Sequence, residues 1–142
     1  MTPLERYVDF MESVARFDLT SLEEFIAQDV HFVDPFNDTH GLEHYRRIIK
    51  DMVAQLDGLA IDVLESAMVS PNRALIRWRL SGRLSAFKDR PWEVTGCSSV
   101  AFDDDGKVNE HLDYWDSAGQ LYEKFPLVGS LMRYLRHKLS VE

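Results

Sequence analysis

Two hydrophobic periods divide this chain, and their order restricts the folds that it can adopt. Up to about residue 55 the apolar residues recur every three or four positions, as on the buried face of a helix. From Leu59 onward they alternate with polar residues, as in a strand with one buried face. Helices followed by a run of strands predict an α+β domain. The 142 residues, 45% of them apolar, fit one domain whose core leaves room for a cavity.

Three helices are predicted in the first part of the chain. A capping box at Thr2 and Glu5, with proline at the first helical position, predicts the start of the first. Thr20 and Glu23 repeat the box and predict a second, short helix. The third follows the polar loop 37–41. Its apolar stripe consists of Leu42, Tyr45, Ile48, Ile49 and Met52.

The strands are separated by turn residues. A first strand ends at Asp34, and turn signals at 70–72, 88–91 and 105–106 divide the later segment into four more strands. This order predicts an antiparallel meander. A sheet of this kind would curve around the helices on one face.

A last helix is predicted over residues 127–139, with leucines at four-residue spacing and four basic or histidine side chains. It could be a basic amphipathic membrane helix. A helix that covers the open end of the domain, or forms a subunit interface, is favoured, because thirteen residues in an acidic protein make a weak anchor.

The charge and cysteine content exclude several classes of partner. A net charge of −8 makes nucleic acid and anionic membrane surfaces poor partners. No apolar run is long enough to span a bilayer, so stable membrane insertion is not expected. The single cysteine, Cys97, cannot form an internal disulfide, which favours a reducing, cytoplasmic setting and a structural thiol.

Acid/base candidates lie at two places. Asp34 precedes a proline, which disfavours helical backbone and predicts an extended carboxylate at the end of the first strand. His111, Asp113 and Trp115 are spaced by two, so they share one face of the last strand. A histidine and an aspartate about 7 Å apart along a strand can tune each other for proton transfer. The alternative for Asp34 is a residue that starts a turn or caps the following helix. The alternative for His111 and Asp113 is the solvent face of an edge or interface strand, with Trp115 alone buried.

The segments 33–36 and 102–115 resemble the nuclear transport factor 2-like superfamily, and most closely its SnoaL-like polyketide cyclases and ketosteroid isomerases. The resemblance covers residues 4–123 of the single domain 1–142 and leaves the helical extension 127–139 outside it. It implies a cone-shaped α+β fold, in which a curved mixed sheet wraps around three helices of the N-terminal half and encloses an apolar pocket. It also implies a homodimer that binds a small hydrophobic ligand.

The resemblance assigns roles to individual residues. The ketosteroid isomerase base corresponds to Asp34, while the two oxyanion-donor positions hold Phe10, which cannot donate, and Ser98, which is a weaker donor than a carboxylic acid. Tyr7, one helical turn from Phe10, could supply a substitute hydroxyl. The acid/base aspartate of SnoaL-like cyclases corresponds to Asp113.

Two functions follow from this resemblance. The first is an isomerase, cyclase or dehydratase acting on a carbonyl compound, with His111 orienting Asp113. In it, the substrate-binding residues are Phe10, Trp78, Ser98 and Trp115. The second is a non-catalytic ligand-binding or association module. No metal is expected, because His31, His40 and His111 are scattered along the sequence, and the enzyme that the resemblance implies needs no cofactor.

Overall fold

The computed structural model describes residues 1–141, which form one curved six-stranded sheet with helices packed against it. The strands are β1 (Ile26–Val33), β2 (Asp38–His40), β3 (Leu56–Ser70), β4 (Arg73–Leu84), β5 (Arg90–Phe102) and β6 (Val108–Tyr114). The α-helices are α1 (Pro3–Glu12), α2 (Leu42–Gln55), α3 (Ser117–Gln120) and α4 (Pro126–Leu139). Short 3-10 helices cover Val14–Arg16, Leu19–Glu24, Ser85–Phe87 and Tyr122–Lys124.

The sheet has the order β2-β1-β6-β5-β4-β3. Strands β3 to β6 pair antiparallel in succession, which confirms the predicted meander, whereas β1 pairs parallel with β6. The prediction of an α+β fold with a curved mixed sheet is therefore confirmed. The parallel pairing places the end of β1, where Asp34 lies, beside the cavity-facing part of β6.

The first helix begins as the sequence predicts. The Thr2 hydroxyl accepts a hydrogen bond from the Glu5 backbone N–H at 3.1 Å, and the Glu5 carboxylate accepts one from the Thr2 backbone N–H at 2.9 Å. Helix α1 buries Tyr7, Phe10 and Met11 against the concave face of the sheet. The capping box thereby fixes the start of the helix that carries Tyr7.

The predicted second, short helix is present, but its predicted cap and the predicted loop 37–41 are wrong. The second helix is a 3-10 helix, Leu19–Glu24, and the residue that caps it is Asp18, whose carboxylate accepts hydrogen bonds from the backbone and hydroxyl of Thr20. The Thr20 side chain is therefore a donor to Asp18 and not a cap. In the predicted loop 37–41, residues Asp38–His40 form the edge strand β2, which has no apolar alternation because little of it is buried.

Helix α4 is joined to the domain by polar contacts. The Arg136 guanidinium lies 2.6 Å from the Glu123 carboxylate, and Arg133 donates to the Glu123 carbonyl at 2.5 Å. Gly129 is the buried residue of this helix. Most of its apolar side chains are exposed: Leu127, Val128, Leu131, Tyr134, Leu135 and Leu139. None of the helices within residues 1–141 has the length and hydrophobicity that crossing a membrane requires.

Candidate functional site

A cavity of about 490 Å³ lies between α1, α2 and the concave face of the sheet. Its walls are mainly apolar and aromatic, and its polar groups come from α1, α2, β5, β6 and the turn after β1. The eight residues that the sequence predicted for the site all line it: Tyr7, Phe10, Asp34, Trp78, Ser98, His111, Asp113 and Trp115. The fold thus brings together residues that lie more than one hundred positions apart in sequence.

A buried row of hydrogen bonds runs from α2 to β6. The Tyr45 and Tyr7 hydroxyl oxygens are 2.7 Å apart, and the Tyr7 hydroxyl lies 2.6 Å from His111 Nδ1. The other ring nitrogen, His111 Nε2, lies 2.6 Å from Asp113 Oδ1. A histidine and a carboxylate are therefore joined directly, and a pair of phenols continues from the histidine into the helical layer.

The same row continues across the sheet to β4. Ser98 donates to Asp113 Oδ1 at 2.5 Å, and the Trp78 indole N–H donates to Ser98 Oγ at 2.8 Å. Ser98 and Asp113 are direct cross-strand partners, and Trp78 is the partner of Gly96, two residues before Ser98. The side-chain-free position at Gly96 leaves room for the indole to reach Ser98, because a Cβ there would lie 2.6 Å from the Trp78 ring.

The donors in this row have a defined direction. The Trp78 indole N–H can only donate, so the Ser98 hydroxyl accepts a hydrogen bond from it. The Ser98 hydroxyl in turn donates a hydrogen bond to Asp113. When His111 is neutral with its proton on Nε2, Nδ1 accepts from Tyr7, and Tyr7 accepts from Tyr45. Protonation of Nδ1 reverses the bond to Tyr7 and frees a phenolic hydrogen for a ligand.

Asp34 forms a turn and also lines the cavity. Its Oδ1 atom accepts hydrogen bonds from the backbone N–H groups of Phe36 at 2.8 Å and Asn37 at 2.7 Å, which makes it a turn-forming aspartate. It also lines the cavity. Burial raises the pKa of Asp34, the hydrogen bonds from Phe36 and Asn37 oppose that rise, and the charge of Asp113 adds to it.

The two phenols stay neutral at physiological pH. Burial, with smaller contributions from Tyr45 and the charge of Asp113, raises the pKa of Tyr7 well above its ordinary value. Burial also raises the pKa of Tyr45, although its hydrogen bond with Tyr7 opposes that rise. They can therefore donate or accept hydrogen bonds, but they are not bases in this site.

The raised pKa of Asp34 predicts how the stability of the protein changes with pH. Because the folded-state pKa is raised, the native state holds this proton more tightly than the unfolded chain. The stabilisation by Asp34 is therefore fully present below the unfolded pKa of about 3.9 and is lost as the pH rises through the folded value. We expect Asp34→Asn to remove this dependence, so that the stability of the wild type relative to the variant falls as the pH rises.

This expectation can be checked by a carbon-detected NMR titration of the Asp34 carboxyl, read together with urea unfolding of both proteins at several pH values. Asp113 is the charged neighbour that raises the pKa of Asp34, so its carboxyl is followed in the same spectra. An Asp34 midpoint at or below about 3.9 would contradict the assigned desolvation.

Sequence analysis missed several residues of the cavity wall, among them Phe36, Asp51 and Trp92, and it missed Tyr45 in the row of hydrogen bonds. In the sequence Tyr45 belongs to the apolar stripe of the third helix, and its spacing matches that of the neighbouring core residues. In the structure it is buried, yet its hydroxyl ends the row that leads to Asp113. The sequence did offer one indication: Tyr45 places a hydroxyl group on the predicted buried face of the helix, and a buried tyrosine hydroxyl usually has a hydrogen-bond partner.

The histidines are less scattered than their sequence positions indicate. His31 and His40 are cross-strand partners on β1 and β2 with stacked rings 4.2 Å apart. Asp38 lies 2.7 Å from His31, and the ligating atoms of the three residues all lie within 4.8 Å of one another, which would allow them to hold a metal ion. Asp38 and His40 are exposed, and none of the three lines the cavity. His111 lies elsewhere, in the buried row.

Comparison with known proteins gives a family match and several similar structures. The model of the SnoaL-like domain matches residues 5–111. No curated protein is a significant match. A structure described as a SnoaL-like polyketide cyclase from a Jannaschia species shares 13% sequence identity, with a TM-score of 0.72 over 82% of this chain and 87% of that one.

Two further similar structures contain ligands. A protein of ketosteroid isomerase-like fold from Catenulispora acidiphila, in complex with trimethylamine, shares 14% identity, with a TM-score of 0.70 over 85% of this chain and 92% of that one. A Mycobacterium tuberculosis protein in complex with estradiol-17beta-hemisuccinate shares 17% identity, with a TM-score of 0.68 over 82% and 95%. At these identities the likeness shows the fold alone.

The family match spans well over half of the chain, and the similar structures share its curved sheet and helices. Together with the cavity between sheet and helices, these matches confirm the family resemblance found in the sequence. The chain belongs to the SnoaL-like domain family and has the nuclear transport factor 2-like fold.

Proposed function

We propose that this protein is an enzyme that isomerises, cyclises or dehydrates a small, largely apolar carbonyl compound by acid/base chemistry. The observation that carries the proposal is the His111–Asp113 pair, hydrogen-bonded at 2.6 Å and placed in the wall of an apolar cavity. A carboxylate held between an imidazole and a hydroxyl is oriented for repeated proton transfer. The family and the ligand-bound similar structures support binding of a small molecule.

In this proposal Asp113 is the principal acid/base group and His111 orients it. Its Oδ1 atom accepts from Ser98 and His111, so Oδ2 is the atom available to a substrate proton. Asp34 is a second proton acceptor whose raised pKa brings it closer to neutrality. Tyr7 donates to a developing oxyanion only in the state in which His111 carries a second proton, because its hydrogen otherwise points to Nδ1.

A second candidate, a non-catalytic ligand-binding or association module, is favoured by one specific observation. The two positions that hold oxyanion donors in ketosteroid isomerases are occupied by the buried ring of Phe10 and by Ser98, whose hydrogen is directed at Asp113. A preorganised oxyanion donor is commonly worth about 3–4 kcal/mol in a transition state. A carrier would need only the cavity and a few polar contacts.

The two functions are separated by the exchange of ketone α-protons. β-Tetralone is incubated with the protein in deuterium oxide, exchange is followed by NMR, and binding is measured by tryptophan fluorescence. For an enzyme we expect exchange above the buffer rate, which Asp113→Asn lowers by roughly 10²–10⁴-fold while the dissociation constant changes little. Asp62→Asn, a change at an exposed partner of Arg79 outside the cavity, is the matched control and should exchange at the wild-type rate.

Wild-type binding without exchange above the buffer rate, for β-tetralone and a panel of similar ketones, would instead identify a carrier. Equal exchange by the wild type and Asp113→Asn would remove the assigned role of Asp113.

A further inference from the structure

The charges in the cavity wall all have one sign at neutral pH when His111 is neutral. Asp34, Asp51 and Asp113 line the cavity, and among residues 1–141 no lysine or arginine does. Among the described residues, His111 is the one histidine in the wall, and its Nε2 atom is already hydrogen-bonded to Asp113. Two arginines on β4, Arg77 and Arg79, pair with acids that do not line the cavity.

The carboxylates of Asp34 and Asp113 can each accept further hydrogen bonds. Asp113 Oδ1 receives the hydrogen bonds of Ser98 and His111, whereas no described residue donates to Oδ2. Asp34 Oδ1 accepts the backbone hydrogen bonds that form the turn, and Oδ2 accepts a single hydrogen bond from the Asn37 side-chain amide at 3.3 Å. A ligand that enters the cavity therefore meets carboxylate oxygens that can still accept hydrogen bonds, and these gain most from a donor or a positive charge.

Aromatic rings surround the same region. The centre of the Trp115 ring lies 5.8 Å from that of Phe36 and 6.1 Å from that of Trp92. All three rings line the cavity. The Phe36 backbone N–H donates to Asp34 Oδ1, so the same turn positions the Asp34 carboxylate and the Phe36 ring. The faces of tryptophan and phenylalanine attract cations within about 6 Å of the ring centre, and the attraction grows when water is excluded.

We propose that the cavity selects a small apolar ligand that carries a protonated amine or a quaternary ammonium group. Asp34 and Asp113 supply the counter-charge, and the rings of Phe36, Trp92 and Trp115 surround the alkyl groups on nitrogen. This assignment rests on the proposed function, because it names the class of substrate for the same cavity. A neutral ligand without a hydrogen-bond donor leaves the carboxylate oxygens without a partner in an apolar wall, and an anionic ligand is repelled by them.

The test compares two ligands of the same shape that differ in charge. In neopentylbenzene a quaternary carbon replaces the nitrogen of benzyltrimethylammonium. All three tryptophans of the chain line the cavity, so intrinsic fluorescence reports directly on occupancy. At neutral pH and low salt we expect the cation to bind at least tenfold more tightly than the hydrocarbon.

Variants identify the groups responsible. Asp113→Asn and Asp34→Asn should each weaken binding of the cation by roughly tenfold and leave binding of the hydrocarbon unchanged, because a full charge is removed without loss of shape. Asp62→Asn, outside the cavity, should change neither. Circular dichroism of each variant establishes that it is folded before binding is compared.

Binding of the hydrocarbon as tightly as the cation, or equal losses for both ligands in the variants, would overturn the inference. Absence of cation binding to the folded wild type would overturn it as well. The outcome is independent of the ketone exchange experiment: cation-selective binding without exchange supports the ligand class and removes the proposed chemistry, whereas exchange without cation selectivity does the reverse.

Discussion

Replacing His111 by leucine is expected to lower the free energy of unfolding by about 3–5 kcal/mol. The imidazole is 6% exposed and joins Tyr7 to Asp113 through both of its nitrogens. Leucine has a similar bulk but no polar atom, so the buried Tyr7 hydroxyl and the largely buried Asp113 carboxylate each lose a partner. For a domain of this size, the expected loss corresponds to a fall in melting temperature of roughly 10–17 °C.

Urea unfolding followed by circular dichroism measures this effect, and His44→Leu on the exposed side of α2 is the matched control. The control should lie within about 0.5 kcal/mol of the wild type. A double-mutant cycle with Asp113→Asn then isolates the coupling between the two residues, which should be about 1–3 kcal/mol because they are in direct contact. A loss below about 1 kcal/mol for His111→Leu would contradict the continuous row of hydrogen bonds.

The second large effect is expected for Gly96→Ala. An added Cβ would lie 2.6 Å from two ring atoms of Trp78 and 3.0 Å from the Trp115 Cβ. Trp78 is 6% exposed and held by its bond to Ser98, so the indole must turn away and that bond must break. We expect the free energy of unfolding to fall by about 1–3 kcal/mol, together with a change in cavity shape that weakens ligand binding.

Gly82→Ala is the matched control, because the same change in the neighbouring strand brings its Cβ no closer than 3.3 Å to any atom outside its chain neighbours. Its effect on stability should be smaller, and its effect on tryptophan fluorescence negligible. A near-ultraviolet circular dichroism spectrum records the environment of the indoles in both variants. An unchanged spectrum for Gly96→Ala would show that the ring does not need the space that glycine leaves.

Side-chain spacing explains why much of the fold could be predicted from the sequence. Helical periods, the capping box at Thr2 and the turn signals at 70–72 and 105–106 act over a few residues, and each is found where the structure has the corresponding element. The two failures are also local: Asp18 takes the position of the cap, and β2 is too polar to show a strand period. Edge strands are recognised by their hydrogen bonds to a neighbour, which the sequence does not display.

The candidate site divides in the same way. The spacing of two between His111 and Asp113 determines that they share a face of one strand, and the proline after Asp34 favours its extended backbone. These properties depend on bonded geometry, so the sequence by itself determined them. What it could not determine is which other side chains meet that face.

Only the tertiary structure decided that Tyr45 on α2 and Tyr7 on α1 meet next to His111, and that Ser98 directs its hydrogen at Asp113. It also decided that the cavity wall combines three carboxylates with aromatic rings and no lysine or arginine within the part of the chain described. The physical reason is that these contacts depend on how helices pack on a curved sheet. That packing sums many weak interactions between distant residues, and no spacing along the chain encodes it.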